Sequence, residues 1–352
     1  MDDLLKTGSI TISSRMLKAV AEIDEFKGAW TALGRLAPER LDSLRRVATI
    51  ESIGSSTRIE GARLSDREVD QLLSNIDITA FASRDEQEVA GYAAVMETVL
   101  ASFDGIAPTE NHIKQLHRDL LQYSAKDERH RGAYKTLENR VEAFGPSGES
   151  LGVVFETATP FETPAQMEAL VPWTRAALNE GELHPLIIIG VFVVVFLGVH
   201  PFQDGNGRLS RVLTTLLLLR AGYGYVPYAS LESVIERTTD GYYRALRQTQ
   251  GTLRGDAPDW QPWLDYFLGA MKSQKRALEE KIQSEKILLD SLPPLSMQIL
   301  DIARTQGRVT VADAATISGV SRNTVKDHIK ALTENGHLLR YGAGRGTWYA
   351  LA

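Results

Sequence analysis

The sequence predicts a mostly α-helical protein with one small β-hairpin inside it and a compact module of three helices and a second hairpin at its C-terminus. Three observations carry this. Apolar residues recur every three to four positions along most of the chain, the period of an amphipathic helix. Two strongly apolar segments, 186–199 and 209–221, flank a short polar turn. From residue 293 onward, three short helical patterns precede a glycine-rich, β-prone stretch.

Leu41, Leu44, Val47, Ile50 and Ile53 form one helical stripe, and Val89, Tyr92, Val95, Met96 and Val99 form another. Pro108 breaks the pattern, Thr109 is suited to cap the next helix, and Ile113, Leu116, Leu120 and Leu121 supply its inner face. Residues 124–163 are rich in loops. Within them Val153, Val154 and Phe155 read as a strand, with 157–161 as its returning partner. Pro164 opens a helix through Met167, Leu170, Trp173 and Leu178, and Pro185 sits in the first turn of the next. Residues 272–290 are rich in Lys and Glu with helically spaced Leu and Ile, a connecting helix that Pro293 and Pro294 end. The expected organisation is a helical N-terminal region over 1–105, a catalytic core over 106–270, a linker helix over 271–292 and the C-terminal module over 293–352.

With 352 residues the chain is long enough for two or three domains and a sizeable core. It has no cysteine, which removes disulfides, thiolate metal sites and cysteine nucleophiles, and fits a reducing compartment. The N-terminus lacks the basic-then-apolar order of a signal peptide. The apolar run over 186–199 is shorter than the ~20 residues that a membrane span needs, so it reads as a buried core helix. No membrane association is expected, and the cytoplasm is the expected location. The net charge of −6 argues against nonspecific nucleic-acid binding by the whole chain. Residues 291–352 differ, with seven Lys and Arg against four Asp and Glu.

The chemistry is concentrated in His200-Pro201-Phe202-Gln203-Asp204-Gly205-Asn206-Gly207-Arg208-Leu209-Ser210-Arg211. One buried helix delivers His200, and the next begins at the Gly205-Asn206-Gly207 turn. Its free N–H groups and positive dipole end therefore face into the turn, as an anion site. Gly205 and Gly207 let the backbone turn and approach a ligand closely. Arg208 and Arg211 offer forked donors for phosphate oxygens. Asp204 offers a hard carboxylate for Mg²⁺, which binds through one or two carboxylates together with substrate phosphates. His200 ordinarily titrates near neutrality and can take a proton from an attacking hydroxyl. A base, a metal ligand and a phosphate cradle in twelve residues point to phosphoryl or nucleotidyl transfer. His112, His117 and His184 stand apart from this cluster and read as structural or solvated rather than catalytic.

This segment resembles the signature of the Fic family, His-Pro-Phe-x-(Asp/Glu)-Gly-Asn-Gly-Arg-x-x-Arg, at every specified position. The resemblance implies transfer of AMP from ATP to a Ser, Thr or Tyr hydroxyl of a target protein, with Mg²⁺. It implies His200 as the base, Asp204 as the metal ligand and Gly205, Asn206 and Gly207 as the anion hole. Arg208 and Arg211 would bind the polyphosphate, and Phe202 would anchor the loop. Relatives that phosphorylate or transfer phosphocholine tend to depart from this motif, and this chain does not. The 153–161 hairpin would be the family's flap, which holds a target segment by strand pairing.

Upstream, Ser56 and Glu60 are spaced i,i+4, on one helical face, and Gly61 is a natural helix stop. Residues Ser56, Glu60 and Gly61 resemble the family's inhibitory motif, (Ser/Thr)-x-x-x-Glu-(Gly/Asn), in the class that places it before the core. The resemblance implies that Glu60 pairs with Arg211 and keeps ATP out of a productive pose. In the family the same Glu also aids removal of AMP, so deAMPylation stays open as a main activity.

The C-terminal segment resembles a winged helix-turn-helix. Its third helix begins after the Gly319-Val320-Ser321 turn, and Gly342, Gly344 and Gly346 fall in the wing. For a DNA-binding module, Arg322, Asn323, Lys326 and Lys330 would face the bases, while Arg340 and Arg345 would meet phosphates. Protein docking is the other use of such a module. Three readings remain: an autoinhibited adenylyltransferase that acts on an unknown target or itself, a DNA-binding regulator whose site senses nucleotide, and the reverse reaction. A homodimer is compatible with each.

Overall fold

The computed structural model describes residues 5–33, 38–74, 81, 83–144, 150–290 and 292–351, with 32–33, 38–43, 140–144, 150–156, 284–290, 304 and 345 described as backbone alone. Residues 1–278 form one compact unit and 279–352 a second.

In the first unit, α1 (Ser14–Leu33) and α2 (Pro38–Ile59) lead into α3 (Asp66–Ser74), α4 (Arg84–Ser102) and α5 (Glu110–Leu120). Ser83 caps α4 by accepting from the Glu86 N–H, and Thr109 caps α5 by accepting from the His112 N–H. The stripe expected in α4 is buried throughout. In α2 the inner face differs from expectation: Leu44, Ala48 and Ile53 are buried, whereas Val47 is 47% exposed. The inward face runs on through Ser52, Ser55, Ser56 and Thr57, all buried. Polar residues on that face mean that the helix serves a site and not only a core. Leu41 lies outside the side chains described.

Strands β1 (Arg140–Phe144) and β2 (Ser150–Glu156) form the antiparallel hairpin, with Arg140 opposite Glu156 and Phe144 opposite Ser150. This corrects the expected pairing. Residues 153–155 are indeed strand, but their partner precedes them, and 157–161 do not return as a strand. Thr157 is drawn into a buried polar knot, and Glu162 accepts from the Thr159 N–H and hydroxyl in the turn that opens α6. That leaves Phe161 93% exposed.

The centre of this unit is α7 (Pro185–Val199), packed against α6 (Thr163–Glu180) and α8 (Asn206–Arg220). His184 caps α7 through its ring nitrogen, Pro185 occupies its first turn, and every residue from Leu186 to Leu197 is buried. Burial of each Val, Leu, Ile or Phe contributes about 1.5–3 kcal/mol, so α7 alone anchors the domain. Among the described residues no helix is long and apolar enough to cross a membrane. Helices α9 (Leu231–Arg237) and α10 (Thr239–Gln250) follow, then α11 (Gln261–Asp290). The expected linker helix is the latter part of α11, whose first turns belong to the core: Trp263 donates to the Gly190 carbonyl of α7 at 2.7 Å.

The second unit contains α12 (Pro294–Gln306), α13 (Val311–Ser318), α14 (Arg322–Glu334) and the antiparallel strands β3 (Leu338–Tyr341) and β4 (Trp348–Leu351). Ile299, Ala303, Val309, Val325, Ile329, Leu332 and Leu338 are buried at its centre. Thr310 and Asp313 make a reciprocal capping box at the start of α13, and Ser321 caps α14. Gly342, Gly344 and Gly346 lie in the connection between β3 and β4, as a wing requires, with Tyr341 and Trp348 stacked at 4.4 Å.

Candidate active site

The turn between α7 and α8 is held by its own side chains. Phe202 is fully buried. Asn206 accepts from the Phe202 N–H at 2.9 Å and donates to the Phe202 carbonyl at 2.7 Å. Its side chain is thereby spent on the loop, and it can offer an anion only its backbone N–H. His117 stacks on Phe202 with ring centroids 3.8 Å apart. Its Nδ1 accepts from the Gly132 N–H at 2.8 Å, which leaves the proton on Nε2 to donate to the Asp204 carbonyl at 2.9 Å. Burial lowers its pKa to about 4, so it stays neutral. His117 is thus a brace for the loop. His112 bonds the Ala107 carbonyl and His184 bonds Asp24. All three histidines have the structural roles expected.

Gly205, at φ 78°, is the N-cap of α8, a left-handed position that disfavours side chains. The first N–H groups of α8, from Asn206 to Arg208, lack intrahelical acceptors by construction and mark an anion site. A carboxylate lies beside it. A Cβ on Gly207 would overlap Glu60 Oε1, so the Glu60 side chain lies directly against the start of the helix. The same oxygen accepts from Arg211 Nη2 at 2.8 Å.

Arg211 is 4% exposed, and Ser56 orients it. Nε donates to the Ser56 hydroxyl at 2.8 Å and Nη2 to the Ser56 carbonyl at 2.9 Å. Burial disfavours its charge, but Glu60, with Tyr242 and Tyr92, together offset this and hold its pKa above the ordinary arginine value. Ser56, Glu60 and Arg211 therefore meet at one point, with Gly61 just beyond the end of α2. Arg58 fixes that end. It makes a two-pronged pair with Glu236 of α9, at 2.6 and 3.0 Å, and bonds Asp66 of α3 at 2.9 Å.

Arg208 and Arg211 part company despite their spacing. Arg208 sits in a closed ring of four charges: it lies 3.1 Å from Glu88 and 3.2 Å from Asp204, and Arg84 lies 2.7 Å from Glu88 and 3.3 Å from Asp204. Burial works to raise the Asp204 carboxyl, yet Arg208, the Gly205 N–H and Arg84 keep its pKa below the usual carboxylate value. Asp204 is thus ionised at any ordinary pH. Among the described residues no cluster of three His, Cys, Asp or Glu could hold a metal alone. A single carboxylate beside an anion site suits a cation that arrives with phosphates. Arg84, Glu88, Arg58 and Glu236 carried no signal in the sequence, because each acts across more than a hundred residues or from a charged helix face of ordinary appearance.

His200 closes α7 in a left-handed conformation at φ 51°, the only positive φ of a non-glycine residue among those described. Its Nδ1 lies 3.3 Å from the Leu197 carbonyl. Burial, then the charge of Lys135, lowers its pKa to about 4. The imidazole is therefore neutral at neutral pH and able to accept a proton.

In the second unit Arg322, Asn323, Lys326 and Lys330 are exposed on α14 and Arg340 on β3, while the side chain of Arg345 lies outside those described. Lys330 faces Glu334 at 3.8 Å.

Residues 107–218 match the Fic/DOC family, and residues 293–336 match the winged helix-turn-helix DNA-binding family. Among curated proteins the chain is 24% identical over 295 residues to the protein adenylyltransferase Fic of Drosophila virilis, covering 81% of this chain and 56% of that protein. It is 26% identical over 275 residues to the protein of the same name from Drosophila willistoni, covering 76% and 51%. The chain thus spans about half the length of the curated relatives it matches. Among solved structures, a Fic family protein from Desulfovibrio desulfuricans is 25% identical, with a TM-score of 0.64 over 97% of each chain. A Fic domain containing signaling protein from Bacteroides thetaiotaomicron is 26% identical, with a TM-score of 0.59 over 72% of this chain and 94% of its own. This chain carries a Fic domain followed by a C-terminal winged helix-turn-helix domain.

Proposed function

We propose that the chain transfers AMP from ATP to a protein hydroxyl and that Glu60 holds this activity off. The observation that carries the reading is the Glu60 carboxylate, bonded to Arg211 and lying against Gly207 at the anion site of α8. A carboxylate there has the charge of a phosphate and competes for the same donors. Once Glu60 leaves, Arg211 is free to hold the terminal phosphate, and the backbone of Asn206, Gly207 and Arg208 receives the remaining phosphate oxygens. Neutral His200 takes the proton of the target hydroxyl as its oxygen attacks the α-phosphorus, and pyrophosphate departs. Asp204 would hold Mg²⁺, which neutralises phosphate charge when bound. The β1–β2 hairpin offers main-chain groups for pairing with an extended target segment. The curated relatives, named as adenylyltransferases, support the same chemistry.

The direct test is intact mass after incubation with ATP and Mg²⁺, for the Glu60→Gly chain and for Glu60→Gly with His200→Ala. An adenylyl-sized gain in the first alone supports the reading, since the chain supplies its own hydroxyls. Equal masses for both, with a generic acceptor protein also unlabelled, would overturn it.

Arg84 competes with the metal for Asp204. In a Glu60→Gly background, Arg84→Ala should lower the Mg²⁺ concentration that half-saturates ATP binding about two- to fivefold, the scale of an exposed ion pair. An unchanged or raised requirement, read by calorimetric titration, would remove Arg84 from the account.

The exposed Arg322, Asn323 and Lys326 on α14, with Arg340 on the wing, favour contact with DNA by the same chain. Full-length protein should then retard a duplex at low salt. Lys326→Ala should reduce the steepness of the salt dependence by about one counterion. No retardation at 50 mM salt would leave the module as a protein-docking domain.

A further inference from the structure

We propose that Lys135 is a positioning residue that, with Asn139 and Thr157, locks the His200 turn to the base of the β1–β2 hairpin. The inference rests on the reading of His200 as the base. Five consecutive carbonyls around that base are satisfied from this side of the fold. Gly198 accepts from the Ala158 N–H at 3.3 Å, Val199 from Lys135 Nζ at 3.0 Å and Pro201 from the Lys135 N–H at 2.9 Å. Asn139 Nδ2 donates to the carbonyl of Phe202 at 2.8 Å and reaches that of His200 at 3.5 Å. A helix C-terminus leaves such carbonyls without intrahelical partners, and here the chain before and after the hairpin supplies them.

The same three side chains tie the hairpin together. Asn139 immediately precedes β1 and Thr157 immediately follows β2. Thr157 Oγ1 donates to the Asn139 carbonyl at 2.8 Å and lies at the same distance from Asn139 Oδ1. Lys135 Nζ bridges the pair at 2.8 Å to Asn139 Oδ1 and 3.1 Å to Thr157 Oγ1. Its three donors are therefore consumed by Asn139, Thr157 and Val199, which leaves none for a nucleotide. At 3% exposure the ammonium is held inside the protein for what it orders. A left-handed conformation strains a non-glycine residue, and the clamp on both sides of His200 offsets that strain.

The clamp also has an electrostatic arm. Burial brings Lys135 down to about 8, so it remains mostly charged at neutral pH. Its charge favours a neutral His200 ring, against Glu60 and Asp204, which favour the charged ring. One residue thus fixes the base, helps to keep it unprotonated and registers it to the strands proposed to hold the target.

The test compares Glu60→Gly with Glu60→Gly/Lys135→Met, which keeps the apolar stem and removes the ammonium. ATP affinity should stay within about twofold. The transfer rate at saturating ATP should fall about 10- to 100-fold, the scale of a misplaced reacting group. The His200 ring, followed by NMR, should titrate at a higher pH. A parental rate, or a loss that follows ATP affinity with an unmoved His200 titration, would overturn the proposal. If Lys135→Met does not fold, Thr157→Val removes only the hydroxyl of the knot and should give a smaller fall in rate at unchanged ATP affinity. A parental rate in that variant would count equally against the clamp. If Glu60→Gly itself transfers nothing, AMP transfer fails as a reading. The His200 titration in Lys135→Met against the unsubstituted chain then still decides whether Lys135 acts on the ring.

Discussion

Replacing Glu60 with glycine is expected to raise the rate of AMP transfer by about 10- to 1,000-fold, the range that one preorganised charge commands at such a site. The arrangement around Arg211 explains why the effect should be large. Ser56 holds the guanidinium from two sides, at 2.8 and 2.9 Å, and those bonds survive the substitution. What disappears is the carboxylate at 2.8 Å, so an almost fully buried cation is left aimed at the anion site without its counter-charge. A phosphate is then the only ordinary partner of matching sign and geometry. The same physics gives a second readout free of any catalysis. Without nucleotide, Glu60→Gly should be less stable than the parent by about 1 kcal/mol, a modest figure because the Glu60 side chain is one-third exposed. Saturating ATP should restore the loss by mass action, and should stabilise the parent far less. Paired thermal melts with and without ATP check both statements. An equal upward shift in parent and variant would mean that Glu60 does not obstruct the site.

The contact between Glu60 and Arg211 was half-written in the sequence. The i,i+4 spacing put Ser56 and Glu60 on one helical face, and the resemblance named Arg211 as the partner across 151 residues. The spacing could not show that Arg58 nails the end of α2 to α9 and α3 through Glu236 and Asp66, and so makes the Glu60 position a fixed one. The twelve-residue turn was more legible because its chemistry is local: helix end, glycines and helix start are adjacent in the chain, so the anion site follows from the order of residues. Asn206 shows the limit even there. Its side chain is given to the Phe202 backbone, a bond that composition cannot distinguish from one to a ligand.

The hairpin was misread for a related reason. A short run of apolar, β-prone residues identified 153–155 as strand, but which flank pairs with them depends on where Thr157 is needed. Its hydroxyl is needed by Asn139 and Lys135, in a knot buried against the His200 turn. A returning strand over 157–161 would have to give up that knot and the Thr159–Glu162 bonds that open α6. In the second unit the caps, the core spacing and the wing glycines were all short-range signals, and the helices and hairpin stand where those signals put them. The charge ring of Arg84, Glu88, Arg208 and Asp204 was invisible, since two of its members sit on a helix whose polar face looks like any solvated surface.

Replacing His200 with alanine in the Glu60→Gly chain should lower transfer by about 100- to 10,000-fold while leaving ATP affinity within about threefold. The separation follows from the geometry. The donors assigned to the phosphates are the first N–H groups of α8 and Arg211, and none depends on the imidazole. The loop that presents them is braced instead by Asn206, Phe202 and His117. His200 stands at the end of the other helix. Its lowered pKa fixes the shape of the pH profile as well. A group that ordinarily titrates near 6.5 would lose half its basic form at that pH, whereas a ring with a pKa of about 4 stays unprotonated down to about pH 5. The transfer rate of Glu60→Gly at saturating ATP should therefore be nearly level from pH 8 to pH 5.5 and fall only below that. A fall centred near pH 6.5 would show an imidazole in an ordinary aqueous setting and would contradict the burial and the Lys135 charge that set this one. A rate that survived His200→Ala would move the base to another group altogether. The neutral ring beside the carboxylate-blocked anion site would then be explained by nucleotide binding without transfer.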